Sequence, residues 1–232
     1  VPEVPVTPEN IFINTTHTHT GPATVSAFGV DKDEAYLSYL PQLLAGSIRE
    51  AYHRLEPANL GFGRGSEGDI SFNRRYLMKD GTVRTNPGVG DKWDEAQGKG
   101  NPDIVQPTGP IDPEVTVMRV ESESGEARCF MVNYACHDDT AGGTLMSADY
   151  PGVVRKVLRR VFGGGVMPAF FNGACGNLNH VNFQALNLKD GYFAHTEWMG
   201  TVLGAEAAKV AAKIECLPES VLKVASATLQ IP

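Results

Sequence analysis

"EVTVMRVES" (residues 114–122) and "ARCFMVNYAC" (residues 127–136) are two apolar, β-rich runs flanking the short polar link "SESGE". Two such runs joined so briefly predict a β-hairpin. Its second strand then delivers His137, followed by Asp138 and Asp139, at its end. Around the hairpin the pattern alternates. "NIFINTT" (10–16) reads as a strand feeding a loop. Residues 33–55 carry Leu37, Leu40, Leu44, Ile48, Tyr52 and Leu55 at helical spacing, with Pro41 either kinking the helix or sitting in its first turn. "ANLGFGRGSEGD" (58–69) reads as a strand or sheet edge, and residues 73–110 as a long loop-rich segment. "SADYPGVVRKVLRRVFG" (147–163) has Ser147 or Asp149 near a helix cap and Gly163 after its end. "VMPAFFNGACGN" is a buried strand running into a glycine-rich turn, "AHTEWMGTVLGAEAAKVAAKIECL" a long amphipathic helix, and "SVLKVASATLQI" a final strand. Interleaved strands and helices predict an α/β, mixed α+β fold: a mixed sheet with flanking helices and the site at the carboxyl ends of strands.

A chain of 232 residues, 42% hydrophobic and 20% charged, can bury a core without staples. Its net charge of −7 gives no basis for nucleic-acid or anionic-membrane affinity, and no apolar run approaches the ~20 residues of a membrane span. Residues 1–232 read as a single catalytic domain. Because a strand-like run arrives almost at once, without an initiator Met or a signal peptide, and the last residues again read as a strand, the expectation is a piece of a longer chain lacking N-terminal strand(s) and a C-terminal part. Four scattered cysteines with no CxxC pair argue against a Cys-rich zinc site, and buried free thiols are the simplest reading.

Chemistry-bearing residues gather at three places: "TTHTHTGP" (15–22), "NYACHDDT" (133–140) and "NGACGNLNHVN" (172–182). On an extended segment His17 and His19 point to the same face, toward one ion or one substrate. The same spacing also suits two hydrogen-bonded loop histidines. His137 beside two carboxylates tilts the set toward a metal site, with Asp138 or Asp139 orienting an imidazole or ligating directly. Asp149 caps the following helix or binds substrate. Asn172, Asn177 and Asn179 either hydrogen-bond a substrate or take up turn conformations. His180 reads as a surface histidine in preference to a further ligand, His53 as a helix-face histidine, His195 as a helix-start residue, and Arg74 or Arg75 as an anion or carbonyl contact or a surface ion pair. There is no G-x-S-x-G elbow, Walker A loop or HExxH, and "GFGRGSEG" lies in too turn-rich a stretch to be a phosphate loop.

Taken in order, "TTHTHTGP", "ISFNRRY", "GPIDPEVTVMRV", "NYACHDDT", "SADYPG" and "FFNGACGNLN" resemble the neutral/alkaline ceramidase family, over roughly residues 8–182. The resemblance implies a zinc-dependent amidase domain, with Zn²⁺ held by two histidines, a glutamate and a tyrosine. His17 and His137 match the two histidine ligands; the other two ligands are expected beyond Pro232. His19 matches a histidine facing substrate and oxyanion, and Arg74 lines the pocket. Gly176 and Asn177 match a substrate-side turn, in which the family's serine is replaced by Asn179 and its proline by His180. Asn179 has no hydroxyl but can donate to an oxyanion, which favours metal-bound water over a serine as nucleophile. "HDDT" is a second departure, adding negative charge beside the metal. The expected substrate is a small-molecule or lipid-like amide. Relatives of this kind are commonly secreted, periplasmic or membrane-associated. Two other readings stand beside this one: a two-metal hydrolase using His17, His19, His137 and Asp138 or Asp139, and a non-catalytic binding module on the same fold.

Overall fold

In the computed structural model, residues 3–27, 29–88, 100–218, 220, 222–225 and 227–230 are described. The predicted hairpin lies at the centre of a four-stranded mixed sheet. Its strands are β6 (Glu114–Ser122) and β7 (Ala127–Tyr134), paired antiparallel with Val117 opposite Val132. β1 (Ala58–Ser66) closes one edge, antiparallel to β6, and β8 (Met167–Asn172) lies parallel to β7 on the other. A parallel pair needs a crossover, and α2 (Asp149–Phe162) supplies it. α3 (Ala194–Ala211) packs beside α2 on the same face of the sheet. The mixed α/β class read from the sequence is therefore the fold observed.

Alternation explains the core. Val115 and Val117 of β6 and Phe130, Val132 and Tyr134 of β7 are buried on one face, against Val154 and Leu158 of α2 and Met199, Leu203, Ala207 and Ala211 of α3. Glycine sets how close the helices come. A Cβ on Gly200 would collide with Val153 and lie 2.7 Å from the carbonyl of Tyr150; one on Gly204 would lie 2.8 Å from the Cβ of Val157. The same logic accounts for "GFGRG": alternate glycines of β1 lie under Val210, Ile214 and the backbone of Glu215, making room for α3 and the turn after it rather than for a phosphate.

Elsewhere the expectations meet mixed outcomes. α1 (Glu34–His53) forms as predicted, capped by Asp33, whose carboxylate accepts from Tyr36 N at 2.9 Å. Pro41 sits inside this helix rather than in its first turn, and α1 buries none of its residues. Residues 10–16 are not a strand: among the described residues they pair with no sheet, and Phe12 instead stacks on Phe171 of β8 at 5.8 Å. The loop-rich segment contains a small sheet of β3 (Arg75–Met78), β4 (Val83–Thr85) and β5 (Ile104–Pro107), with its own cluster of Tyr76, Met78 and Phe183; residues 89–99 of that segment lie outside the described residues. β2 (Phe72–Asn73) pairs with β9 (Leu178–Asn179), a two-residue contact too short to leave a sequence pattern. The final strand is absent among the described residues of 220–230, which are exposed; strand propensity alone does not make a strand without a neighbour to take its backbone bonds. All four cysteines are free thiols. No helix among the described residues is long and apolar enough to cross a membrane.

The helix contact gives a test. Gly200→Val should lower stability by about 2–3 kcal/mol through overpacking against Val153. Gly46→Ala, in α1 with nothing within 4 Å of the new Cβ, should raise it by roughly 0.5–1 kcal/mol. Urea denaturation of both variants reads the contrast; equal effects would contradict the packing described.

Candidate metal centre

β7 and β8 are parallel, so both present carboxyl ends at one edge of the sheet. Residues 135–140 leave β7 there and residues 173–180 leave β8 there, and hydrogen bonds tie the two turns together. His137 N donates to Leu178 O at 3.2 Å, and Gly173 N to Tyr134 O at 2.9 Å. The loop carrying His17 and His19 is tied to both and to the start of α2. His19 N donates to Asp138 O (3.0 Å), Asn172 Nδ2 to Thr16 O (2.9 Å), and the hydroxyls of Thr18 and Thr20 to Ser147 O (3.2 and 3.4 Å). The threonines that bracket the histidines therefore hold the loop in place. The three predicted segments do meet.

Where they meet, one ring nitrogen each from His17, His19 and His137 lies within 4.8 Å of the others. The Nε2 atoms of His17 and His19 are 3.3 Å apart. Tetrahedral zinc with Zn–N bonds of ~2.0–2.1 Å sets its ligand nitrogens about 3.3–3.4 Å apart, so the spacing fits one ion. His137 is buried, and its Nδ1 lies 2.8 Å from Cys175 O and 2.9 Å from Leu178 O. Carbonyl oxygens only accept, so Nδ1 carries the proton and the Nε2 lone pair is left for a cation. Burial holds the His137 imidazole below its ordinary pKa, and the Arg74 guanidinium adds to this. Burial, then His19, lowers His17 in the same way. Neutral imidazole is the form that binds a metal, so the donor set fits Zn²⁺. His17 reaches the cluster from a left-handed backbone conformation, φ 61°, rather than from the extended segment predicted.

Arg74 lines an open cavity of about 440 Å³ with His17, His137, Asn172, Cys175 and Gly176. Its backbone N donates to Asn177 O (2.9 Å) and its guanidinium to Gly176 O (2.7 Å), which places it over the glycine-rich turn. Arg75 is exposed on β3. Asn179 is buried, not lining the cavity: its amide donates to Asn86 Oδ1 (3.0 Å) and its oxygen accepts from Val181 N (3.1 Å). Asp149 is also buried, and protein donors take up its carboxylate: Thr140 Oγ1, Ala141 N (2.9 Å) and Tyr150 N (2.7 Å). Asp149 is the first residue of α2 rather than its cap, which is Ala148 and has no side-chain cap bond, and its carboxylate is taken up by these protein donors. A larger groove of about 530 Å³ between β1 and the end of α3 is bounded by ordinary charged side chains and holds no imidazole or thiol.

The acids after His137 differ sharply. Asp138 is fully buried, no well-formed hydrogen bond reaches either carboxylate oxygen, and burial, only partly offset by the nearby Tyr150 hydroxyl and reinforced by Asp149 and Asp139, pushes it up to about 8. It is a neutral acid at pH 7. Burial would raise Asp139 too, but a hydrogen bond from His180 Nδ1 at 2.8 Å, with the charges of His180, His19 and His137, holds its carboxyl below the ordinary range. His180, predicted at the surface, is 8% exposed because its ring is clamped between Asp139 and His195. Sequence reasoning missed this pairing, since nothing in the spacing of residues 139 and 180 announces it. His53, read as a helix-face residue, is exposed and is the last residue of α1. His195 does begin α3, but it is 5% exposed, packs on Trp198, and has no hydrogen-bond partner at either ring nitrogen.

Burial, with His180 and Lys189 nearby, drops the His195 pKa to about 4. The folded value lies below the unfolded value of about 6.5, so its contribution is intact above pH 6.5 and is lost as pH falls toward 4, by up to about 3 kcal/mol. Asp138 acts in the opposite sense: the unfolded carboxyl ionises near 4 and the folded one near 8, so stability falls as pH rises between them. His195→Phe should flatten the acid limb by about one proton, read from urea denaturation between pH 7 and pH 4.5. An unchanged slope would mean that His195 takes up its proton in the folded state.

No protein-family model and no curated protein matches the sequence. Among solved structures, the fold matches the neutral ceramidase from Pseudomonas aeruginosa, with a TM-score of 0.64 and 23% identity over 86% of this chain and 31% of that one. A ceramidase complexed with C2 matches at a TM-score of 0.62 and 22% identity, over 86% of this chain and 30% of that one. At this identity the likeness is one of fold, and the chain spans under a third of the length of either neighbour.

Proposed function

We propose that this chain carries the cation-binding part of a zinc-dependent hydrolase of linear amides, ceramidase-like in the sense of its fold neighbours, with water as the nucleophile. The observation that carries the reading is the convergence of His17, His19 and His137 on one point, with the His137 tautomer fixed by two carbonyls. Two neighbours bear the name ceramidase, and ceramide is an amide. A bound zinc ion would supply a Lewis acid and lower the pKa of a water toward ~7.

His17 and His137 are the ligands that the sequence resemblance implies. The 3.3 Å approach of His19 Nε2 to His17 Nε2 supports a third ligand rather than the substrate-facing role expected of His19. The oxyanion then falls to Arg74, whose guanidinium is anchored on Gly176 O beside the cluster. Gly176 and Asn177 support this role through their carbonyls, which fix Arg74, so they position the substrate side of the cavity indirectly. Asn179 retains one amide N–H beyond its bond to Asn86, but from a buried position. With no hydroxyl at residue 179, the lipid amide of a ceramide is one candidate within a wider class of N-acyl amides. The single-cation reading is preferred to a two-metal one because Asp138 and Asp139 do not join the three-histidine group among the described residues.

Elemental analysis of the full-length protein should find about one zinc per chain. His17→Ala, His19→Ala and His137→Ala should each lose it, while Arg74→Ala keeps the metal and loses ~10²–10³ in kcat on an N-acyl amide. Full zinc occupancy in both His17→Ala and His137→Ala would refute the site. Retention in His19→Ala alone would return His19 to the substrate side, and no turnover of any N-acyl amide by the zinc-loaded protein would leave a binding module.

A further inference from the structure

The sequence offers two roles for Asn172, a substrate contact or a turn conformation, and the fold gives it another. Asn172 ends β8 opposite Tyr134 of β7, and its Nδ2 donates to Thr16 O at 2.9 Å. A carbonyl only accepts, so the amide nitrogen is the atom that faces Thr16. The bond joins residues 156 positions apart, and Thr16 is the residue before His17.

The loop depends on that bond. Among the described residues it is the only hydrogen bond made by the main chain between Phe12 and His17. On that side Phe12 adds a ring stack on Phe171. Beyond His17 the chain is held by His19 N on Asp138 O and by the threonine hydroxyls on Ser147 O. His17 lies between these two anchorages in the left-handed region, φ 61°. Such a conformation persists only where its surroundings fix it. From it the His17 ring meets that of His19 at 4.9 Å and that of His137 at 4.7 Å between centroids.

Stability alone does not call for asparagine here. Asn172 Oδ1 is buried and has no partner among the described residues. A buried acceptor without a donor is destabilising, and an apolar side chain of the same size would avoid it. What asparagine offers over leucine at this position is the N–H on Thr16.

We propose that Asn172 is the positioning residue of His17. Its amide fixes the Thr16 carbonyl, and with it the backbone turn that carries the His17 ring to those of His19 and His137. The consequence for metal binding rests on the reading of that cluster as a zinc site; the arrangement of the rings does not. Partners that orient a metal ligand are typically worth roughly 10–100-fold in affinity.

The test compares the full-length wild type with Asn172→Leu. It reads zinc affinity by competition with a chromophoric chelator, thermal melting, and nuclear Overhauser contacts between histidine rings in the metal-free protein. Asn172→Leu should bind zinc ~10–100-fold more weakly and melt no lower than wild type. It should also lose the contact between the His17 and His137 rings while that between His19 and His137 persists. Asn172→Asp has the size of asparagine, lacks the N–H and adds a negative charge to the cavity wall. It should weaken zinc binding too; tighter binding would show that residue 172 acts by charge, and the proposal would fall. If Asn172→Leu keeps the His17–His137 contact, or binds zinc as tightly as wild type while His17→Ala abolishes binding, Asn172 has no such role and the zinc site stands. A lower melt together with loss of the His19–His137 contact would mean a general loosening of the fold, which equally overturns the proposal. If the wild type takes up no zinc, the zinc reading fails on its own, and the ring contacts in Asn172→Leu decide for or against Asn172.

Discussion

A single imidazole N–H organises this site. His137 Nδ1 points between the carbonyls of Cys175 and Leu178, and that fork joins the end of β7 to the turn after β8. It fixes the ring and its tautomer, and it leaves the other nitrogen as a lone pair aimed at His17 and His19. The turn on which it rests also carries the carbonyls of Gly176 and Asn177 that hold Arg74. One set of main-chain oxygens therefore positions an imidazole on one side and a guanidinium on the other. Parallel pairing of β7 with β8 is the precondition, because only that pairing brings the two turns to the same edge of the sheet.

Much of this was legible in the sequence because it is written in local periods. The alternation in residues 114–136, the helical spacing after Asp33 and the Ser-Ala-Asp-Tyr-Pro start of α2 each report a short-range physical preference, and each appears as an element. The three polar segments could be named because polar and small residues directly after apolar strands are costly unless used. What stayed hidden is what depends on distant partners. Residues 10–16 have strand composition but find no sheet, and Phe12 spends its apolar surface on Phe171. His180 reads as a surface histidine until Asp139, forty-one positions earlier, is seen to accept its hydrogen bond. Asp149 and Asn179 carry functional-looking side chains that the fold consumes internally, and only a count of their hydrogen bonds reveals it.

The two acids of "HDDT" show how little sequence adjacency fixes chemistry. Asp138 and Asp139 share a backbone and nearly a position, yet one is a buried acid whose pKa burial raises and the other a carboxylate braced by an imidazole. The difference is set by which side of the turn each faces: Asp138 toward the buried Tyr150, Asp139 toward His180. At the same site Arg74 and Asp139 act on the imidazoles of His17 and His137 with opposite signs, from two loops that meet only in the folded state.

The backbone of His17 records a choice between conformation and chemistry. A φ of 61° is a region where glycine is at ease and where most other residues give up roughly 1–2 kcal/mol. Judged by folding alone, glycine or asparagine would be the better residue there, and either would leave the loop at least as stable. The residue there is instead a histidine, whose ring meets those of His19 and His137 from that conformation. The fold thus gives up backbone ease at one position and brings three imidazoles together.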